Sequence, residues 1–109
     1  MKNKKSGIEI VNGISRLNID GGEISENGEH GINLNGSISE FRIYPLSIRY
    51  NGGDGIRINA SLSKGLIKGI SITKNNNGIN KTESGNVGDA IINENFVYGN
   101  TVTDNNSVD

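Results

Sequence analysis

The 109-residue chain has no cysteine, no tryptophan, one proline, one methionine and one histidine. Without cysteine there is no disulfide framework, no thiolate metal site and no cysteine nucleophile, and either redox compartment is open to the chain. His30 as the sole histidine rules out a two-histidine metal site and a Cys-His pair. Leucine occurs five times and alanine twice, against 17 isoleucines and five valines. A chain so short of helix formers and so rich in β-branched residues excludes an all-helical protein. An excess of positive charge is missing too: 11 Lys and Arg face 12 Asp and Glu, for a net charge of -1. That balance gives no electrostatic footprint for nucleic acid or an anionic membrane, and neither is expected as a partner. Long apolar runs are also absent. Met1-Lys2-Asn3-Lys4-Lys5 has the look of a signal-peptide start, but Gly7, Glu9, Asn12 and Gly13 interrupt the apolar stretch that should follow, so neither a secretion signal nor a membrane span is expected.

Isoleucine, asparagine and glycine are what the chain has in abundance, filling 51 positions. They recur with a constant 24-residue step. A Gly-Ile-x-(Ile/Leu) tetrad stands at Gly7-Ile8-Glu9-Ile10, one step later at Gly31-Ile32-Asn33-Leu34, and one step later still at Gly55-Ile56-Arg57-Ile58. In the same register come Ile14, Ile38 and Leu62, then Ile19, Ile43 and Ile67, then Ile24, Ile48 and Ile72, and finally Asn27, Asn51 and Asn75.

A period of this length suits a leucine-rich repeat or a β-solenoid. The marked positions are isoleucine rather than leucine, and pairs such as Ile8/Ile10 and Leu17/Ile19 have the two-residue spacing of strands. Gly and Asn between the short strands suit tight corners. The spacing therefore predicts an all-β solenoid of about four 24-residue coils over residues 7–109, after a polar segment at 1–6. In the fourth coil Gly78-Ile79 arrives one residue early. Matching Ile72-Thr73-Lys74-Asn75-Asn76 to Val102-Thr103-Asp104-Asn105-Asn106 implies a net insertion of seven residues in a loop at 81–89. On that register Ile92 aligns with Leu62, Val97 with Ile67, Val102 with Ile72 and Asn105 with Asn75. Val108-Asp109 then falls where a fifth coil would open, which predicts a segment of a longer helix with uncapped coil edges that pair end to end or with another copy.

The Gly-Ile-x-Ile tetrad, the Ile-x-x-Asn corner and the stretch from Ile91 to Val102 resemble the coils of right-handed parallel β-helix proteins of the pectate-lyase-like superfamily. The resemblance implies three strands per coil in three parallel sheets, an inward Asn ladder at one corner, and an extracellular or virion setting. It also implies a carbohydrate-related role as polysaccharide lyase, hydrolase, epimerase or tail-spike-like appendage.

The catalytic parts are few. Calcium-assisted lyases of that group use clustered carboxylates with an Arg or Lys base, and the acids here are dispersed. The polygalacturonase branch needs three Asp, a His and an Arg-x-Lys element, whereas Arg57-Ile58-Asn59 lacks the lysine. Gly52-Gly53-Asp54-Gly55 has neither the nine-residue period of calcium-binding β-rolls nor the lysine and helix of a phosphate loop, and reads as corner glycines with positive φ. No catalytic residue of the family carries over, and no metal or cofactor is expected. His30 stands one full repeat before Asp54, so the two stack at one corner. They are the only catalytic candidates, as a general base with its carboxylate, against the plainer reading of a solvated turn.

A surface offers more. With Ile19, Ile43, Ile67 and Val97 inward, the columns beside them gather Arg42, Tyr44, Lys68 and Tyr98 on one face. Flat aromatic and guanidinium groups on a rigid sheet can stack on sugar rings and bond their hydroxyls or carboxylates. The expectation is a polysaccharide-associated shaft or binding segment with no complete active site, with a lyase, hydrolase or epimerase as the alternative and a polysaccharide or cell-surface glycan as the partner.

Overall fold

A computed structural model describes residues 4–88, 91–93 and 95–100. Among the described residues the chain winds through twelve short strands, three per coil. The first coil holds β1 (Ile8–Ile10), β2 (Ile14–Ile19) and β3 (Glu23–Ser25); the second β4 (Ile32–Leu34), β5 (Ile38–Ile43) and β6 (Ser47–Arg49). The third holds β7 (Asp54–Ile58), β8 (Leu62–Lys68) and β9 (Ser71–Thr73); the fourth β10 (Asn77–Lys81), β11 (Ile91–Asn93) and β12 (Phe96–Tyr98). Strands at equivalent positions pair in parallel into three four-stranded sheets: sheet A (β1-β4-β7-β10), sheet B (β2-β5-β8-β11) and sheet C (β3-β6-β9-β12). This is a parallel β-solenoid whose first three coils keep the 24-residue repeat that the periodicity predicts. Among the described residues no helix is long and apolar enough to cross a membrane.

The core is the expected set of axial stacks. Ile8, Ile32, Ile56 and Ile79 pair in sequence up sheet A, and Ile24, Ile48 and Ile72 up sheet C. Ile32, Ile43, Ile48, Ile56, Ile67, Ile72 and Ile79 are fully buried. Each coil covers its apolar side only with its neighbours, so stability here is a property of stacking. The glycine that opens each tetrad is fixed by that packing. A Cβ at Gly7, Gly31 or Gly55 would lie 2.5, 2.4 or 2.3 Å from Cγ2 of Ile24, Ile48 or Ile72, where no side chain fits.

The corner after sheet C carries the asparagine ladder. Asn27 Nδ2 donates to Asn51 Oδ1 at 2.8 Å, Asn51 Nδ2 to Asn75 Oδ1 at 2.8 Å, and Asn75 Nδ2 to Asn100 Oδ1 at 3.2 Å. The residue before each asparagine makes the turn in the left-handed region: Glu26 at φ 56°, Tyr50 at 58°, Lys74 at 57° and Gly99 at 67°. Gly52, Gly53 and Gly55, expected at positive φ, are not there. Close approach selects them instead, since a Cβ at Gly52 would meet Gly28 O at 2.3 Å and one at Gly53 would meet His30 Nδ1 at 2.6 Å.

The fourth coil corrects the register read from the sequence. Ile92 pairs with Ile67 rather than aligning with Leu62, and Val97 pairs with Ile72 rather than Ile67. Asn100, not Asn105, extends the ladder; Val102 and Asn105 lie outside the described residues. Ile79 falls one residue short of a full repeat beyond its partner Ile56, and Ile92 falls one residue past a full repeat beyond Ile67, so the net insertion between them is two residues. The extra pair is a tight turn at Glu83-Ser84, closed by the Gly85 N–H donating to Thr82 O at 3.0 Å. The bridge between Ser61 and Asn86 has the same offset as Ile67 and Ile92, which places Val87 above Leu62, and Val87 packs against the core.

One residue breaks the apolar pattern. Lys81 pairs with Ile58, so the stack Ile10, Leu34, Ile58 ends in a lysine at its fourth step. The Lys81 ammonium lies 3.5 Å from Gly85 O.

Candidate functional site

Sheet B builds the principal candidate. Its central strands are long, and they leave the expected alternation once: Ile38 and Phe41 are both buried three residues apart, with Ser39 and Glu40 exposed between them. Gly65, paired with Phe41, leaves room for the Phe41 ring, which a Cβ there would strike at 2.4 Å. The outer side of these strands holds a concavity of about 680 Å³ lined by Arg16, Glu40, Arg42, Tyr44, Lys64 and Leu66 among others.

Charge on this face is uneven. Arg16, Glu40 and Lys64 form one cross-strand column, and Asn18, Arg42 and Leu66 another. With Lys68 at the end of β8, four cations stand against Glu40 and, just past β2, Asp20. Glu40 accepts from the Arg16 guanidinium at 3.3 Å. The chain's net charge of -1 thus hides a locally cationic face.

Of the four residues that the sequence points to, Arg42 and Lys68 stand on sheet B, and Tyr44, directly after β5, lines the same concavity as Arg42. Tyr98 does not join them. Its backbone is in β12, paired with Thr73 on sheet C, because the insertion is two residues rather than seven. Phe96, in the same strand, pairs with Ser71. Tyr50, 51% exposed, occupies the asparagine corner, with the Arg49 and Lys74 cations each 5.7 Å from its ring centroid. Arg16 and Lys64 are lining residues that sequence reasoning missed, although the constant step from Arg16 through Glu40 to Lys64 was there to be read.

His30 and Asp54 do stack, and their geometry is that of a brace between coils. His30 Nδ1 accepts from the Asp54 backbone N–H at 2.9 Å and lies 3.5 Å from Asp54 Oδ2. Asn77 Nδ2 donates to Asp54 Oδ1 at 2.6 Å, and Asn80 Nδ2 donates to Oδ2 at 3.0 Å. Burial holds the His30 pKa below its ordinary value, against the Asp54 carboxylate that pulls it upward, with the Arg57 cation adding to the lowering. A neutral imidazole whose Nδ1 lone pair is already engaged, beside a carboxylate with both oxygens bonded, has little left at that side for proton transfer. Among the described residues no three His, Cys, Asp or Glu side chains cluster as a metal-ion site would require.

Comparison with protein families, with curated proteins and with solved structures finds no match for this chain. The class that the geometry defines is a parallel β-solenoid, and the likeness to pectate-lyase-like coils rests on the residues quoted for it.

Proposed function

We propose that this chain is a polysaccharide-associated β-solenoid, the shaft or binding part of a carbohydrate-active or tail-spike-like assembly, which holds a glycan on sheet B without turning it over. The concavity lined by Arg42, Tyr44 and Lys64 carries this reading. A sheet face that offers an aromatic ring among guanidinium and ammonium groups suits a sugar chain, whose rings stack on Tyr and whose hydroxyls or carboxylates accept from Arg and Lys. The catalytic alternative is a lyase, hydrolase or epimerase whose catalytic residues lie here or on adjacent coils; within these residues its candidates are His30 and Asp54, and the hydrogen bonds around both favour a bracing role.

The test is binding of neutral and acidic polysaccharides to the wild-type chain and to the Arg42→Ala/Tyr44→Ala double variant, each checked for fold by circular dichroism. Retention of at least one glycan, weakened about tenfold or more in the variant, is expected; a single well-placed contact pair is worth that much. Equal binding by both proteins would sink the sheet B reading. Appearance of unsaturated or shortened products would overturn the non-enzymatic one.

A further inference from the structure

Five Asn-Gly dipeptides punctuate the chain, at Asn12-Gly13, Asn27-Gly28, Asn35-Gly36, Asn51-Gly52 and Asn77-Gly78. In such a pair the backbone nitrogen readily attacks the side-chain amide before it, because glycine puts no side chain in the way of ring closure. The reaction needs a Gly N–H that no hydrogen bond holds and an Asn amide whose carbon is open to that nitrogen. The solenoid meets these conditions unequally.

Asn51-Gly52 is locked on both counts. The Gly52 N–H donates to Asn27 O at 2.9 Å, and the Asn51 amide is held in the ladder at 4% exposure. Asn27 belongs to the same ladder, and Asn77, in β10, donates through Nδ2 to Asp54 Oδ1 at 2.6 Å. Asn35-Gly36, in the second coil, is the contrary case. Asn35 is exposed at the corner between sheets A and B, and among the described residues nothing accepts from the Gly36 N–H. Packing demands glycine there, since a Cβ would lie 2.5 Å from Asn12 O. One coil on, Asn59 Nδ2 donates to Asn35 Oδ1 at 2.6 Å. Thr82 Oγ1 in turn donates to Asn59 Oδ1, which fixes the Asn59 amide with its amino group toward Asn35. A donor therefore meets the oxygen that gathers negative charge when a nucleophile adds to Asn35 Cγ, the role of an oxyanion donor.

From this contrast we infer that Asn35 is a site of self-modification, converted within the folded chain to aspartate and isoaspartate. Gly36 N bonds to Asn35 Cγ as the Cγ–Nδ2 bond breaks, and the Gly36 proton leaves with Nδ2 as ammonia, giving a cyclic imide. Water then opens the ring at either carbonyl. Opening at Cγ restores the ordinary backbone with an aspartate, and opening at the Asn35 backbone carbonyl routes the chain through Cγ as isoaspartate. Water is the sole co-reactant. In the aspartate form the new carboxylate still accepts from Asn59 Nδ2, a charge-assisted bond stronger than the one it replaces. The isoaspartate form lengthens by a methylene the link from β4 to β5, the strand that carries Glu40 and Arg42.

Peptide mapping by mass spectrometry tests this, on the full chain held folded in mildly alkaline buffer beside a sample unfolded in urea. In the folded chain Asn35 should show the amide-to-acid mass gain first. Asn12, whose amide no described residue engages, should follow more slowly. Asn51 and Asn77 react only when local opening frees them, and should lag Asn35 by about 100-fold or more. In urea the same pairs should react within about threefold of one another, because the chain then imposes no fixed contacts. Asn59→Ala should slow Asn35 by about threefold or more with the circular dichroism spectrum unchanged. Thr82→Val, which keeps the Asn59 side chain but releases its amide, should slow Asn35 in the same direction. An Asn35 that keeps its amide while Asn12 loses its own, or an Asn51 that converts as fast as Asn35, would overturn the inference. Wild-type rates at Asn35 in either folded variant would overturn the role given to Asn59.

Discussion

Asn51 Oδ1 accepts from both the backbone N–H and the side-chain Nδ2 of Asn27, at 3.1 and 2.8 Å, while Asn51 Nδ2 donates to Asn75 Oδ1 and to Ile24 O. The amide spends all its capacity inside the protein, in a residue only 4% exposed. Asn51→Ala removes side-chain hydrogen bonds to three neighbours, Asn27, Asn75 and Ile24, so a loss of about 2–3 kcal/mol is expected in urea denaturation. Asn51→Asp should cost more at neutral pH than near pH 3, because only the protonated acid can still donate to Asn75. Equal stability of that variant at the two pH values relative to wild type would count against the ladder's role.

The left-handed corner gives a prediction of opposite sign at two steps of one column. Lys74 carries a Cβ at φ 57°, a conformation that costs an L-residue about 1–2 kcal/mol. Lys74→Gly should therefore stabilise the chain by up to about 1 kcal/mol, less whatever the Tyr50 contact contributes. Gly99→Ala, where nothing lies within 4 Å of the added Cβ, should destabilise it by about 1 kcal/mol through φ alone. Thermal melts with the same sign for both would refute this account of the corner.

Glycine in the tetrad serves packing rather than conformation. Gly55→Ala would put a methyl group 2.3 Å from Ile72 Cγ2 and is expected to cost about 2–3 kcal/mol. Gly13→Ala is the control. Its Cβ would meet Ser37 O at an ordinary 3.6 Å, and the change should stay within about 0.5 kcal/mol. Chemical denaturation of the pair reads the difference directly.

Stability should also respond to mild acid through His30. Burial lowers the folded-state pKa below the reference value of 6.5, so the unfolded chain binds the proton more readily. The contribution is complete above about pH 6.5 and is lost as pH falls below it, at no more than about 1.4 kcal/mol per pH unit. Asp54, Glu29 and Glu9 oppose this shift and Arg57 reinforces it. His30→Gln should flatten the stability profile between pH 6.5 and 5. An unchanged slope in that variant would assign the pH response to other groups.

Much of the fold was legible because one step repeats in every class of position: the tetrad glycine, the inward isoleucines and the corner asparagine. The fourth coil was not, for a specific reason. Ile92, Val97 and Val102 are spaced by five residues, as are Ile67 and Ile72, so sliding the alignment by five costs nothing in pattern. The pairing of Ile92 with Ile67 is decided by chain closure around the Glu83-Ser84 turn, which no periodicity records. That slip also carried Tyr98 onto the wrong face. The left-handed residues Glu26, Tyr50 and Lys74 escaped notice because composition assigns such backbone to glycine, while here the stacked corner imposes it on whatever residue falls there. The cationic face was half legible: Arg42, Tyr44 and Lys68 follow from alternation about Ile43 and Ile67, and the same count puts the Arg16, Glu40 and Lys64 column outward, whereas counting from Ile38 puts it inward.

The asparagine ladder has a direction. At each of its three described steps the amino group donates to the coil after and the oxygen there accepts from the coil before. The side-chain dipoles therefore add along the axis instead of cancelling, and each polarises the next. Turning one amide over would set oxygen against oxygen on one side and hydrogen against hydrogen on the other. The column can thus adopt its sense only as a whole, and any coil added to it must arrive with its amide already facing the same way.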